Sequence, residues 1–162
     1  MMTRNGAMDA WLEPASRHAF AGLGELLAAP NPSPRQDAAA SVQNLRPGAA
    51  ANLALIRSDP FTFAPVTTME RHRYSTQLFV PLDVDAYIVL VASGEMAPDL
   101  GSLRALRVSG HHGINYLPGT WHMGMATLSR PGTFAMLIHE DGSAADCEFC
   151  DVPPIQIRIT ER

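Results

Sequence analysis

The chain has 162 residues, 46% of them apolar and 17% charged, which suits one domain with a sizeable core and argues against disorder. A net charge of -4 makes nucleic acid a poor partner, and because all 12 basic residues are arginine, Schiff-base lysine chemistry and a P-loop lysine are excluded. The longest apolar run, Ala86–Ala92, is far short of the ~20 residues that span a bilayer, no signal-peptide pattern opens the chain, and Cys147 and Cys150 make no disulfide framework, so a cytoplasmic protein is expected.

Residues 1–10 read as a loose leader. Over residues 15–28, Phe20, Leu23, Leu26 and Leu27 recur at helical spacing, with Ser16 available as an N-cap. Gly22 and Gly24 weaken that helix, leaving a short helix or a turn and strand as alternatives. Pro30, Pro32 and Pro34 cannot continue a helix, and the Ala-, Pro- and Ser-rich stretch 31–51 reads as a mobile loop or linker.

After residue 50 the character changes. Strand-length apolar runs occupy 52–57, 77–82, 86–92, 103–108, 134–139 and 155–159, with proline or glycine between most of them. The last alternates strictly, Ile155-Gln156-Ile157-Arg158-Ile159. This pattern predicts a mainly β chain: a small barrel or jelly roll with an N-terminal helical or irregular arm. The expected division is residues 1–50 for the arm and a Pro/Ala-rich loop, and 51–162 for the barrel.

Two segments could carry chemistry. Glu70-Arg71-His72, leading into Ser75-Thr76-Gln77, sets an acid, a cation and a base before a strand; the bland alternative is a solvated connection. Pro118-Gly119-Thr120-Trp121-His122 is a turn followed by two residues that must face opposite sides, one to pack and one free to enter a cavity. Proline, glycine and histidine at this spacing resemble the second conserved motif of cupin barrels, whose histidine commonly binds a metal. The companion His-x-His is absent, so a three-histidine centre would have to recruit His72, His122 and His139 from separate strands. His111-His112 between glycines reads as a surface turn, and the lone CxxC at 147–150 as ordinary thiols.

Met69-Glu70-Arg71-His72 with Ser75-Thr76-Gln77-Leu78-Phe79-Val80-Pro81-Leu82 resembles the ERH…(T/S)QxFxPL signature of ureidoglycolate lyases. Gly113-Ile114-Asn115-Tyr116 and Gly119-Thr120-Trp121-His122 are similar to that family's GVNY…GxWH, and Asp146-Cys147-Glu148 to its NC(D/E). The resemblance runs over about residues 11–157 and implies a cupin-like barrel, a homodimer and the cleavage of ureidoglycolate to glyoxylate and urea in allantoin and purine breakdown. It implies His122 as base, Glu70 or His72 as acid, and Arg71 or Arg57 as anchor of a small carboxylate substrate. Gln77, Asn115 and Tyr116 would orient the urea part. A divalent metal, nickel in some descriptions, goes with the resemblance, while no ligand set in the sequence requires one. The chain departs from the family pattern at Pro118, Met123 and His139-Glu140. Two alternatives stand beside the lyase: a non-catalytic cupin binding a small carboxylate, and a metal-dependent cupin enzyme.

Overall fold

Twelve strands make up nearly all the regular structure of the computed structural model, which describes residues 6–28 and 34–159. They are β1 (Met8–Pro14), β2 (Gly24–Ala28), β3 (Ala50–Ser58), β4 (Val66–Arg71), β5 (Gln77–Pro81) and β6 (Ala86–Ala92) in the first part. The rest are β7 (Arg104–Ser109), β8 (His112–Tyr116), β9 (Trp121–His122), β10 (Ala126–Thr127), β11 (Gly132–Glu140) and β12 (Glu148–Ile159). One sheet has the order β10-β6-β7-β1-β12-β4-β9, and β9 also pairs with β6, so that sheet closes on itself. The other runs β2-β8-β5-β11-β3. β1 lies parallel to both β7 and β12; the other named pairs are antiparallel. The result is the mainly β, mixed barrel that the run of short strands predicts.

β6 explains how the two sheets share a core. Every residue of β6 is buried. Tyr87, Val89 and Val91 join Phe79, Ile114, Tyr116 and Phe134 in a core against the five-stranded sheet. Ile88, Leu90 and Ala92 turn the other way, to Met69, Ala105, Trp121, Ile155 and Ile157. A strand covered on both faces has no polar side to present, hence the unbroken apolar run. Phe134 sits edge-on to both Tyr87 and Phe79, at 5.1 and 6.1 Å between ring centroids.

The N-terminal stretch takes the turn-and-strand alternative. Ser16 does cap, its Oγ accepting from the Ala19 N–H at 3.1 Å, but the helical turn it starts is single. Gly22 ends the turn in the left-handed region (φ 78°), and the chain continues as β2. Gly24 is required there for a second reason: a Cβ would stand 2.6 Å from the Asn115 carbonyl oxygen across the β2–β8 ladder. Residues 8–10, expected as loose leader, belong to β1. Their signal was hidden because β1 has strand neighbours on both edges and only Ala10 is deeply buried. Pro30 and Pro32 lie outside the described residues. Farther along the same stretch, residues 43–45 are pinned to the barrel: Gln43 O accepts from Thr76 N, and Leu45 N donates to Tyr74 O at 2.7 Å.

Candidate active site

β4 and β9 meet at a single register pair, Glu70 opposite His122. The turn at Pro118-Gly119 sets this up, with Gly119 at φ 83° and its N–H donating to the His72 carbonyl at 2.9 Å. Alternation along β9 then sends Trp121 into the second core, its indole N–H on the Gly94 carbonyl at 3.0 Å. His122 faces the other way and stacks on Tyr116, 4.2 Å between ring centroids and 15° between planes. The same alternation puts Glu70 and His72 together and Arg71 opposite. The two imidazoles are 5.5 Å apart by centroid.

Hydrogen bonds fix both tautomers. His122 Nδ1 lies 2.9 Å from the Thr120 carbonyl and His72 Nδ1 2.7 Å from the Asp146 carbonyl. A carbonyl only accepts, so each Nδ1 carries the proton and each Nε2 offers a lone pair in the neutral ring. Neither buried Nε2 has a hydrogen-bond partner. His122 Nε2 points at Glu70 Oε1, 3.6 Å away, and the ligand atoms of Glu70, His72 and His122 all lie within 4.8 Å of one another. Lone pairs facing a carboxylate with no donor between them make a seat for a proton or a cation. The neighbouring His122 holds the Glu70 carboxyl below the usual range, against the opposing effect of burial. Burial pushes His72 down, so its neutral form is favoured. Cys147 Sγ approaches Glu70 Oε2 at 3.8 Å, and its thiol is pushed up to about 12, chiefly by burial.

The expected site residues divide. Glu70, His72, His122 and Tyr116 come together. Gln77 lies on the same inner face, opposite Tyr116 in the β5–β8 ladder; its Nε2 donates to Met136 Sδ at 3.3 Å and its buried Oε1 has no partner. Asn115 does not join them. It projects from the other face of β8, and its Nδ2 donates to the Ser41 carbonyl at 2.9 Å. Arg71 is 3% exposed and already engaged: bidentate to Glu148 Oε2 (2.9 and 2.6 Å), bonded to the Glu95 carbonyl (2.6 Å), and 4.3 Å above the Trp121 ring. Arg57 is exposed on β3, opposite Thr133. His139 is on β11, its backbone N–H on Ser75 Oγ, and it is not in the cluster; the third side chain beside His72 and His122 that could hold a metal is Glu70. Arg73, next to His72 in sequence and without a motif of its own, is one-third exposed, with its Nε on Glu148 Oε1 at 2.8 Å. It was one more arginine in a charged run, and only the shared Glu148 distinguishes it.

Among the described residues no helix is long and apolar enough to cross a membrane. The profile of the family described as ureidoglycolate lyase matches residues 10–159. A ureidoglycolate lyase of Pseudomonas entomophila (strain L48) is 28% identical over 159 residues, covering 91% of this chain and 94% of that protein. One from Salmonella paratyphi B (strain ATCC BAA-1250 / SPB7) is 35% identical over 88 residues, 54% of each chain. Among solved structures, a dTDP sugar isomerase from Desulfovibrio desulfuricans G20 is similar with a TM-score of 0.49 and 18% identity, covering 82% of this chain and 83% of that one.

Proposed function

The chain belongs to the ureidoglycolate lyase family, and from that premise we propose that it cleaves ureidoglycolate to glyoxylate and urea, a step of allantoin and purine breakdown. The observation that carries this reading is the pair of orphaned Nε2 lone pairs facing the Glu70 carboxylate. Ureidoglycolate is an adduct of urea with an aldehyde, so its cleavage needs only proton movements. A base takes the hydroxyl proton, the oxygen becomes the aldehyde carbonyl, the C–N pair passes to nitrogen, and that nitrogen receives a proton. His122 takes the first proton at Nε2. Glu70, ionised beside it, stabilises the imidazolium, which returns the proton to the departing urea nitrogen. Glu70 thus serves as a charge partner rather than as the acid, because a proton taken up by His122 holds the neighbouring carboxyl in its ionised form. His72 presents a neutral acceptor to the urea N–H groups, with Gln77 Oε1 as a second.

The substrate carboxylate needs a cation, and Arg71 and Arg57 are both placed elsewhere. Arg73 fits better. It shares the Glu148 carboxylate with the buried Arg71 and, being one-third exposed and next to His72 in sequence, keeps donors that solvent or a substrate carboxylate can reach. The same donor set also fits a divalent metal, with Glu70, His72 and His122 as ligands. Such a cation would supply Lewis acidity toward carboxylate and hydroxyl oxygens. The two imidazoles would then be engaged as ligands and not free as bases.

A homodimer accords with the outer face of the five-stranded sheet. Leu53 and Leu55 are 71% and 72% exposed on β3, and Val80 on β5 is exposed on the same face across β11.

The test is a coupled assay of glyoxylate release with wild type and His122→Ala, each with and without chelator. Release above the spontaneous rate, lost in a folded variant, supports the lyase. Chelator sensitivity would identify the metal-bound state as the active one. No release under any condition, with nickel or manganese added, would leave a carboxylate-binding cupin without catalysis.

A further inference from the structure

We propose that Arg46, some 26 positions before the histidine it serves, is a positioning residue that sets the tautomer and place of His72. The proposal rests on the reading of His72 as a working group of the site. Its physical basis is a chain of contacts that begins in the segment before β3. That segment is docked on residues 74–76 through Gln43 and Leu45 and by a bridge between Asn44 and Ser75. Arg46 reaches from it to the loop between β11 and β12. Its guanidinium bonds Asp141 Oδ2 at 3.0 Å and Ser143 Oγ at 3.3 Å, pairs with Asp146 Oδ1, and lies 5.4 Å from the Tyr74 ring centroid. Arg46 and Asp146 are largely buried, with side chains 17% and 13% exposed.

The Asp146 carboxylate also gathers the N–H groups of Asp141 (3.0 Å) and Gly142 (2.6 Å), which folds the loop around it. The carbonyl of that same residue accepts from His72 Nδ1. The next residue, Cys147, carries the thiol against Glu70. A histidine ring can put its proton on either nitrogen, and the partner of Nδ1 decides which. Arg46 fixes Asp146, Asp146 fixes the Nδ1 proton, and the Nε2 lone pair is thereby kept toward Glu70 and His122. The Nδ1 proton of His122 is held outside this chain of contacts, by the carbonyl of Thr120 two residues before it.

That independence supplies the control. Long-range proton–nitrogen correlation NMR reports which ring nitrogen carries the proton, without any substrate. In the wild type we expect both histidines to show a protonated Nδ1 and a bare Nε2. In Arg46→Ala and Arg46→Gln we expect the His72 nitrogens to move toward averaged shifts while those of His122 stay, with Arg46→Lys intermediate. Asp146→Asn, which spares the carbonyl but not the ion pair, should act like Arg46→Ala, and the two together should add little. Arg130→Ala, which breaks the exposed pair with Asp85, should change neither histidine. Where the wild type releases glyoxylate, kcat of Arg46→Ala should fall about ten- to a hundredfold. Unmoved His72 shifts in a folded Arg46→Ala, or in Arg46→Lys and Asp146→Asn should the alanine variant not fold, would overturn the proposal. So would equal movement of both histidines, the sign of general loosening. Absence of glyoxylate release by the wild type would count against the lyase reading alone.

Discussion

Glu70 Oε1 and His122 Nε2 stand 3.6 Å apart at the only register pair between β4 and β9. Neither atom brings a proton to the other while the imidazole is neutral, so the pair gains most when His122 becomes charged. That is the condition of a base poised beside its own counter-charge. We expect His122→Ala to lower glyoxylate release by about 10²–10⁴, the usual worth of a positioned acid–base group. Glu70→Gln should retain the base but lose its partner, giving a smaller loss of kcat. Equal activity of Glu70→Gln and wild type would remove the charge-partner role.

Arg71 and Arg73 bind the same Glu148 carboxylate, yet they should respond differently. Arg71 is buried with its hydrogen bonds satisfied, so Arg71→Ala removes its bonds to Glu148 and the Glu95 carbonyl and leaves a void under Trp121, while the one-third-exposed Glu148 keeps Arg73. We expect a loss of about 2 kcal/mol, from the lost hydrogen bonds and the lost packing of the Arg71 side chain. Arg73 is partly solvated, and Arg73→Ala should cost less than about 1 kcal/mol while raising KM for ureidoglycolate. Thermal unfolding and substrate titration on the two variants decide this, and the opposite pattern would return the anchor to Arg71.

Much of this arrangement was legible in the chain. Alternation alone tells that Trp121 and His122 part ways, and the structure bears this out; that Glu70 and His72 share a side is what the structure adds. It equally separates Arg71 from them, and Asn115 from Tyr116, although motif resemblance had grouped all of these residues. Adjacency in a motif marks a shared segment and not a shared face. The partners that settle each role lie far off in sequence: Glu148 for Arg71, Asp146 for His72, Ser41 for Asn115. Such pairings depend on which strands become neighbours, and the local pattern is silent about that. β1 escaped for the same reason, since its contribution is a place between two parallel neighbours.

Stability should fall on the acid side. Burial lowers His72 in the folded state, so between its ordinary value of about 6.5 and the lower folded value the unfolded chain binds more protons. Stability from the neutral ring is therefore full above that ordinary value and declines as pH falls through the folded one. Glu70, also lowered in the folded state, gives the same sign over a more acid range. Denaturant unfolding followed from pH 7.5 to 4.5 should show the decline, and His72→Gln should flatten its upper part. Rising stability on acidification from pH 7 to 5.5 would contradict the buried, neutral state of His72.

The outer face of the five-stranded sheet gives the last test. β3 is an edge strand of nine residues without proline or lysine, the devices that usually keep an edge solitary. Its leucines stand exposed: Leu55 is opposite Ala135, which in turn faces Val80, and Leu53 is opposite Leu137, which faces Leu78. A sheet with one apolar face on its own core and another toward solvent is expected to cover the second. A second copy does so without any additional component, and two-fold symmetry is the commonest way to close such a surface. Leu53→Glu with Leu55→Glu places charge on the outer face and leaves the inner residues Ala54 and Ile56 untouched. Light scattering across a dilution series should then report a dimer for the wild type and a folded monomer for the double variant. A wild type that is monomeric at every concentration, or a double variant that remains a dimer, would exclude this face as the interface.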